Sequence, residues 1–214
     1  QNRQYDEAEN LALLITKKFP MHNYAWKILA AVLEQTNKTS EALKANQKAL
    51  EIDPYDPEIY LCLGNNFHQL EKLDDAELNF KKALDLNPSY LQALYNLGLI
   101  LNKKQRFDES VSFFKKVINL KPDFANGYYS LGSALIDLGD LDTAIVNLKK
   151  ATALKPAYPQ AFFNLGIAMR KLGKKIEALE YFQQSINLKK DYIRAYNLIG
   201  VTLTELGQYD DALK

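Results

Sequence analysis

The sequence predicts an all-α fold, a right-handed α-solenoid (superhelix) of stacked helix-turn-helix repeats, each 34 residues long. A proline recurs with that spacing, at Pro20, Pro54, Pro88, Pro122 and Pro156. A glycine does the same, at Gly64, Gly98, Gly132, Gly166 and Gly200. So does an alanine, at Ala8, Ala42, Ala76, Ala144, Ala178 and Ala212. Three residue types that share one period along the chain are typical of a helical solenoid.

The period divides the chain into a single array over residues 1–214. Five full repeats are predicted, at 23–56, 57–90, 91–124, 125–158 and 159–192. Partial repeats flank them at 1–22 and 193–214. Positions are counted from the first residue of each repeat, so that Gly64 stands at position 8 of the repeat 57–90.

Each repeat is expected to form two antiparallel helices. Small residues at positions 8 and 20 let the helices approach closely, and larger residues at positions 4, 7, 11 and 24 fill the space between them. The first helix should end near position 15 with a left-handed residue, at Asn37, Gly139, Gly173 and Gly207. Proline at position 32 should end the second helix.

Position 18 is the expected N-cap of the second helix. Short polar side chains occupy it, at Asp6, Ser40, Asp74, Asp108, Asp142 and Asp210. Their oxygens can accept a hydrogen bond from a backbone N–H that has no partner at the start of a helix.

One repeat carries the whole pattern and another departs from it. The repeat 57–90 has Tyr60, Leu63, Gly64, Phe67, Ala76, Phe80, Ala83 and Pro88 at positions 4, 7, 8, 11, 20, 24, 27 and 32. The repeat 23–56 is looser, with Ala30 and Asn46 at positions 8 and 24. From end to end the chain resembles the tetratricopeptide repeat family. The resemblance implies that the first helices line a concave groove, mainly through positions 2, 5, 6, 9, 12 and 13.

Composition limits the classes of function. The chain is 47% hydrophobic and 25% charged with a net charge of +1, as in soluble globular proteins. A nucleic-acid surface would need a strongly basic domain with a continuous basic stripe, so no nucleic-acid partner is expected. No apolar stretch approaches the ~18 residues of a membrane-spanning helix, so no membrane span is expected.

The single cysteine, Cys62, excludes an internal disulfide and fits a reducing compartment. We therefore expect a cytoplasmic location. Position 6 of the repeat faces the predicted groove, so Cys62 is either an inert small side chain or a free thiol.

Residue patterns for catalysis or metal binding are missing from the sequence. The two histidines, His22 and His68, lie in different repeats, and no spacing typical of zinc ligands or of a phosphate-binding glycine loop occurs. We expect no enzyme activity, no cofactor and no metal in this segment.

The predicted binding surface is the groove. Its candidate residues are Lys27, Asn65, His68, Tyr95, Asn96, Asn102, Tyr129, Ser130, Phe163, Asn164, Arg170, Arg194 and Asn197. Position 5 supplies an aromatic row at Tyr95, Tyr129 and Phe163, which offers contact area. Asn96 and Asn164 at position 6 can bond both the N–H and the C=O of an extended backbone.

Other interpretations of the same residues stay open. The alternatives are packing of the aromatic row between first helices, hydrogen bonds between asparagines of neighbouring repeats, and a partner on the convex face.

Two groups within the family offer comparisons. Heat-shock cochaperones hold a C-terminal carboxylate with lysine, arginine and asparagine side chains. The repeat that starts at Pro57 offers Leu61, Asn65, Asn96, Asn126 and Ser130 at the corresponding positions. No cation is among them, so such a clamp is not expected.

The second group is the uninterrupted superhelix of O-linked N-acetylglucosamine transferases and their bacterial relatives. Asn96-Leu97-Gly98 and Asn164-Leu165-Gly166 resemble its repeats, although the asparagine row is interrupted at Ile28, Cys62, Ser130 and Leu198. Phe19 to Gln35 resembles the first repeat of bacterial proteins that join such arrays to a glycosyltransferase or sulfotransferase domain.

The chain begins at Gln1 and ends at Lys214 inside repeats. We expect a fragment of a longer protein, in which end-to-end self-association through exposed terminal repeats is an alternative. The function predicted from the sequence is a non-catalytic protein-protein interaction scaffold that binds an extended peptide or helix of a partner in its groove. The alternative is a substrate-recruiting arm of a larger glycosyltransferase or sulfotransferase.

Overall fold

The computed structural model describes residues 2–208 and 212, with side chains from Asp6 onward. Over these residues the chain forms twelve α-helices and no β-strand, so the predicted all-α class is confirmed. The helices belong to two compact units, residues 1–104 and residues 105–214. Each unit is a stack of helices in chain order, as expected of a solenoid of repeats.

Unit 1 contains six helices. They are α1 (Asn2–Lys18), α2 (Asn23–Gln35), α3 (Thr39–Ile52), α4 (Pro57–Gln69), α5 (Leu73–Leu86) and α6 (Leu91–Lys103). Each packs against the next, and α4 also contacts α6. Since α2, α4 and α6 are the first helices of their repeats, their shared surface is called here the first-helix face of unit 1.

Unit 2 contains the other six helices. They are α7 (Phe107–Leu120), α8 (Ala125–Leu138), α9 (Leu141–Leu154), α10 (Pro159–Lys171), α11 (Lys175–Leu188) and α12 (Ile193–Glu205). Each packs against the next, and α8 also contacts α10. The first-helix face of unit 2 is formed by α8, α10 and α12.

The first helices are followed by a left-handed residue at position 15. The backbone angle φ is positive there at Asn37 (58°), Glu71 (59°), Gln105 (59°), Gly139 (91°), Gly173 (77°) and Gly207 (75°). The four residues that the sequence predicted for this role are confirmed. Glu71 and Gln105 were not predicted, because a residue with a Cβ is strained in this conformation by roughly 1–2 kcal/mol.

The predicted N-cap of the second helix is wrong by two positions. The observed caps stand at position 16, at Lys38, Lys72, Arg106, Asp140 and Lys174. The left-handed residue reverses the chain at once, so the second helix already begins at position 17. Of these caps Asp140 bonds through its side chain, whose Oδ1 accepts from the backbone N–H of Thr143 over 3.3 Å.

The residues at position 18 therefore lie inside the helices. Asp74, Asp108 and Asp142 stand in the first turn, where a carboxylate interacts favourably with the helix dipole. Ser40 lies in the first turn of α3 and Asp6 within α1. Asp210 lies outside the described residues.

The second helices end where the sequence predicted. They stop at Ile52, Leu86, Leu120 and Leu154, two residues before the prolines at position 32. Helix α11 stops in the same place, at Leu188, although Lys190 replaces the proline. Proline is thus compatible with this end without being required for it.

Contact between positions 8 and 24 joins the two helices in three of the repeats. Gly64 faces the fully buried ring of Phe80, and a Cβ placed on Gly64 would lie 2.6 Å from Phe80 Cδ1. The same relation links Gly132 to Leu148 and Gly166 to Phe182. A large apolar side chain thereby fills the space that the glycine leaves, as the dense packing of protein interiors requires.

Candidate functional site

The first-helix face of unit 1 brings together two of the predicted asparagines. Asn96 on α6 donates through Nδ2 to Oδ1 of Asn65 on α4 over 2.8 Å. Both side chains are half-buried. Asn65 Nδ2 and Asn96 Oδ1 make no hydrogen bond with any residue that the structure describes. The pair therefore presents one donor and one acceptor side by side.

A cavity of about 210 Å³ opens on the same face, between α2 and α4. Its lining includes Ile28, Ala31, Ile59 and Cys62. The cavity arises where the repeat 23–56 departs from the pattern: Ala30 and Asn46, both in the lining, stand in the places of the glycine and the large apolar residue.

Two buried amides and one carboxylate form a network at this cavity. Asn46 and Asn66 are almost fully buried. Asn46 Nδ2 donates to Asn66 Oδ1 over 2.9 Å, and Asn66 Nδ2 donates to Oε1 of Glu34 over 2.7 Å. Asn46 Nδ2 also reaches the same Glu34 oxygen at 3.4 Å. Sequence reasoning missed Glu34, whose position 12 on the first helix is one of the groove positions.

Lys27 lies in an ion cluster at the edge of the cavity. Its Nζ lies 2.8 Å from Asp56 Oδ2 and also contacts a carboxylate oxygen of Glu58. Burial by itself lowers the pKa of Lys27, but the hydrogen bonds and charges of the two carboxylates outweigh it and hold the pKa above its usual value. Asp56 also accepts from the backbone N–H of Glu58 over 2.8 Å, which caps α4.

The charges around the cavity affect its cysteine. Burial, with the negative charges of Glu34 and Glu58, raises the pKa of the Cys62 thiol to about 12. Of the two interpretations of Cys62, the structure supports the inert thiol, because a thiol with this pKa stays protonated at neutral pH.

In unit 2 the predicted aromatic row is largely used for packing. The ring of Tyr129 lies 4.9 Å from that of Tyr158. The side chain of Phe163 is only 2% exposed, with its ring 5.0 Å from Tyr192 and 5.7 Å from Phe182. The prediction that Phe163 offers contact area is therefore wrong, since the aromatic residue at position 34 covers it.

The remaining candidates of unit 2 differ in accessibility. Ser130 is buried, so it too is corrected as a groove residue. Asn164 is half-buried, and Asn197 and Arg194 are exposed. The guanidinium of Arg194 lies 5.1 Å from the ring centre of Phe163 and covers it from the solvent side.

Three candidates stand near the ends of first helices. Arg170 pairs with Glu205, although its buried Nε has no hydrogen-bond partner among the described residues. Asn102 Oδ1 is buried without a partner in the same part of the chain that the structure describes. His68 is half-buried on α4.

Over residues 2–208 and 212 the structure contains neither a group of side chains suited to a metal ion nor a membrane-spanning helix. No group of three or more His, Cys, Asp or Glu side chains there could hold a metal ion. None of the helices described is long and apolar enough to cross a membrane.

Stacked pairs of helices with this packing define a helical repeat protein, and comparison of the sequence gives the family. A model described as TPR repeat matches residues 64–105 and 132–173. Models described as Tetratricopeptide repeat match residues 1–57, 91–124, 159–192 and 113–146. The chain belongs to the tetratricopeptide repeat family. No curated protein matches it significantly by sequence.

Solved structures share the fold. The crystal structure of MamA protein has 29% sequence identity and a TM-score of 0.67, with 73% of this chain and 86% of that chain covered. YrrB, described as a TPR protein with an unusual peptide-binding site, has 23% identity and a TM-score of 0.75 over 87% of this chain and 96% of that chain. PilF of Pseudomonas aeruginosa has 19% identity and a TM-score of 0.75 over 98% and 89%. The latter two likenesses show the fold alone.

Proposed function

We propose that the protein is a non-catalytic scaffold that binds an extended segment of a partner protein on the first-helix face of unit 1. The observation that carries this proposal is the Asn65–Asn96 pair. The Asn65 Nδ2 amino group and the Asn96 Oδ1 oxygen are left without a hydrogen bond to any described residue on this face. An extended peptide backbone presents an acceptor and a donor that match them.

The neighbouring residues suit the same ligand. Tyr95 stands beside Asn96 on α6 and is half-buried, so part of its ring can contact a peptide. In unit 2, the half-buried Asn164 and the exposed Asn197 give the first-helix face further polar groups. A peptide-binding site in a neighbour of the same fold, YrrB, agrees with this use of the fold.

Selection of peptides from a random display library tests the proposal. The full chain is the only target of the selection, and the selected peptides are then measured on a variant with Asn65→Ala and Asn96→Ala. Peptides that survive should bind the native chain and lose roughly tenfold or more in affinity on the double variant, the effect of losing two hydrogen bonds. The variant Asn119→Ala, which alters an exposed asparagine on the second helix α7, should bind as the native chain does. Equal affinity for the native chain and the double variant would refute the proposal.

A further inference from the structure

Two residues that line the cavity between α2 and α4 depart from the repeat pattern. In the other full repeats for which this contact is described, a glycine at position 8 faces Phe80, Leu148 or Phe182. The repeat 23–56 instead has Ala30 and Asn46 in these two places. Burying an amide where a phenyl ring would fit gives up hydrophobic stabilisation and requires hydrogen bonds for the amide. Departures of this kind from the packing rule are expected at functional positions.

The hydrogen bonds of that amide converge on one carboxylate. Asn66 Nδ2 donates to Glu34 Oε1 over 2.7 Å, and Asn46 Nδ2 approaches the same oxygen. Asn46 and Asn66 are fixed by burial, so the network holds the Glu34 carboxylate in one place at the wall of the cavity. A carboxylate fixed in this way needs no reordering when a ligand arrives.

The carboxylate of Glu34 has no ion-pair partner within the described part of the chain, whereas the lysine in the lining of the cavity has two. Lys27 is already engaged by Asp56 and Glu58. One cation against three carboxylates leaves this wall with an excess of negative charge. The raised pKa of Cys62, to which Glu34 and Glu58 contribute, is a second sign of that negative potential.

The other walls of the cavity are apolar or aromatic. Ile28, Ala31 and Ile59 line it beside Glu34. Tyr24, which is also in the lining, exposes 64% of its surface at the rim. An aliphatic stem fits the apolar walls, and a guanidinium stacks on an exposed aromatic ring better than an ammonium does.

We infer that this cavity binds the arginine side chain of the partner segment, with Glu34 as the residue that accepts its guanidinium. The inference rests on the proposed function, because it assigns a residue type to the peptide that the first-helix face binds. Glu34 Oε1 is occupied by the two amides, whereas Glu34 Oε2 accepts no hydrogen bond from a described residue and can take an N–H of the guanidinium. The excess negative charge disfavours an acidic side chain in the same place.

The experiment is an NMR titration of the ¹⁵N-labelled full chain. The probe is the peptide acetyl-Ala-Ser-Arg-Ser-Ala-amide, and the matched peptide has citrulline in place of arginine, which keeps the shape and removes the charge. The arginine peptide should shift the signals of Glu34, Cys62 and the Asn66 side-chain amide in a saturable way. The citrulline peptide should bind roughly tenfold more weakly, as expected for a charge-assisted hydrogen bond replaced by a neutral one.

Two variants complete the test. Glu34→Gln keeps an oxygen for the two amides and removes the charge, and Glu51→Gln on the exposed side of α3 makes the same change of charge away from the cavity. The double variant Ala30→Gly with Asn46→Phe refills the cavity with the packing of Gly64 and Phe80. Glu34→Gln and the refilled variant should lose binding of the arginine peptide, and Glu51→Gln should keep it.

The outcomes separate this inference from the proposed function. Equal binding of the arginine and citrulline peptides, or full binding by Glu34→Gln or by the refilled variant, would overturn the arginine site. If peptides shift the signals of Asn65 and Asn96 without any dependence on charge, the arginine site fails while the proposed function stands. If no peptide shifts any signal on either first-helix face, both fail.

Discussion

The ring of Phe80 occupies the space beside Gly64, so that a Cβ on Gly64 would lie 2.6 Å from Phe80 Cδ1. This distance is too short for two carbon atoms, and the ring has no room to move because it is fully buried. Gly64→Ala should therefore destabilise the chain by about 1–3 kcal/mol, as overpacking of a core does. The free energy of unfolding from a urea titration measures the effect.

Gly200→Ala is the matched control for that substitution. Gly200 stands at the same position 8, in α12, but among the described residues the nearest atom to its Cβ would be the Ala212 carbonyl oxygen at 3.9 Å. Alanine inside a helix is favoured over glycine by about 1 kcal/mol. The two variants should thus differ in sign, and equal destabilisation by both would contradict the packing argument.

The left-handed residue at position 15 gives a second prediction. Gln105 has a φ of 59°, which strains a residue with a Cβ by roughly 1–2 kcal/mol. Gln105→Gly should raise the free energy of unfolding by up to about 1 kcal/mol, because part of the relief is lost to the greater entropy of glycine in the unfolded chain. Gln105→Ala keeps the Cβ and should change stability little. A glycine variant no more stable than the alanine variant would argue against strain at this position.

These contacts show how far the sequence predicts the fold. The period of 34 residues sets the order and spacing of the helices, because the contact of Gly64 with Phe80 is local to one helix pair and repeats with the pattern. The predicted start of the second helix is wrong because a single neighbouring residue decides where that helix begins. The sequence predicted a cap from residue type at Asp74, whereas the left-handed Glu71 starts the helix earlier than a cap preference alone indicates.

The candidate site was only partly predictable. Asn65 and Asn96 were identified from their positions, but whether they bond one another depends on the distance between neighbouring repeats, which the period does not give. Phe163 is predicted to lie in the groove because the family resemblance places position 5 there. Its cover, Tyr192, comes from position 34 of the same repeat, 29 positions further along the chain.

The residues that line the cavity include two departures from the repeat pattern that are visible in the sequence of the repeat 23–56. Ala30 and Asn46 change together at the two positions that touch in other repeats. A simultaneous change at both predicts altered packing at that contact. The polar network could not be foreseen, because Glu34 and Asn66 belong to different repeats and their approach depends on how those repeats stack.

The network itself gives a third prediction. Glu34→Ala removes the acceptor of the Asn66 amide, which is fully buried. A buried donor without an acceptor costs about 1–3 kcal/mol, so the free energy of unfolding should fall by that amount. The free energy of unfolding should fall less in Glu34→Gln, because the amide oxygen of glutamine can replace the carboxylate oxygen as the acceptor. If the alanine variant is as stable as the native chain, the network has no structural role.

The thiol of Cys62 gives the last prediction, since it reports the charge of the cavity through its reactivity. Its pKa is raised from 9.0 to about 12, so the folded chain holds far less thiolate than an exposed cysteine at any pH below its pKa. Alkylation by iodoacetamide near pH 8 should be roughly 50-fold slower than in the urea-unfolded chain, because each pKa unit removes tenfold of thiolate while the more basic thiolate reacts faster. The raised pKa of Cys62 also makes stability depend on pH. The thiol loses its proton at lower pH in the unfolded chain than in the folded chain, so the free energy of unfolding falls as the pH rises above the ordinary pKa of cysteine.

Two variants test the part played by Glu34 in the reactivity of Cys62. Glu34→Gln removes one of the charges that raise the pKa of Cys62 and should therefore speed alkylation severalfold, whereas Glu51→Gln should leave the rate unchanged. Equal alkylation rates in the native chain, Glu34→Gln and Glu51→Gln would mean that Glu34 exerts no negative potential on the cavity.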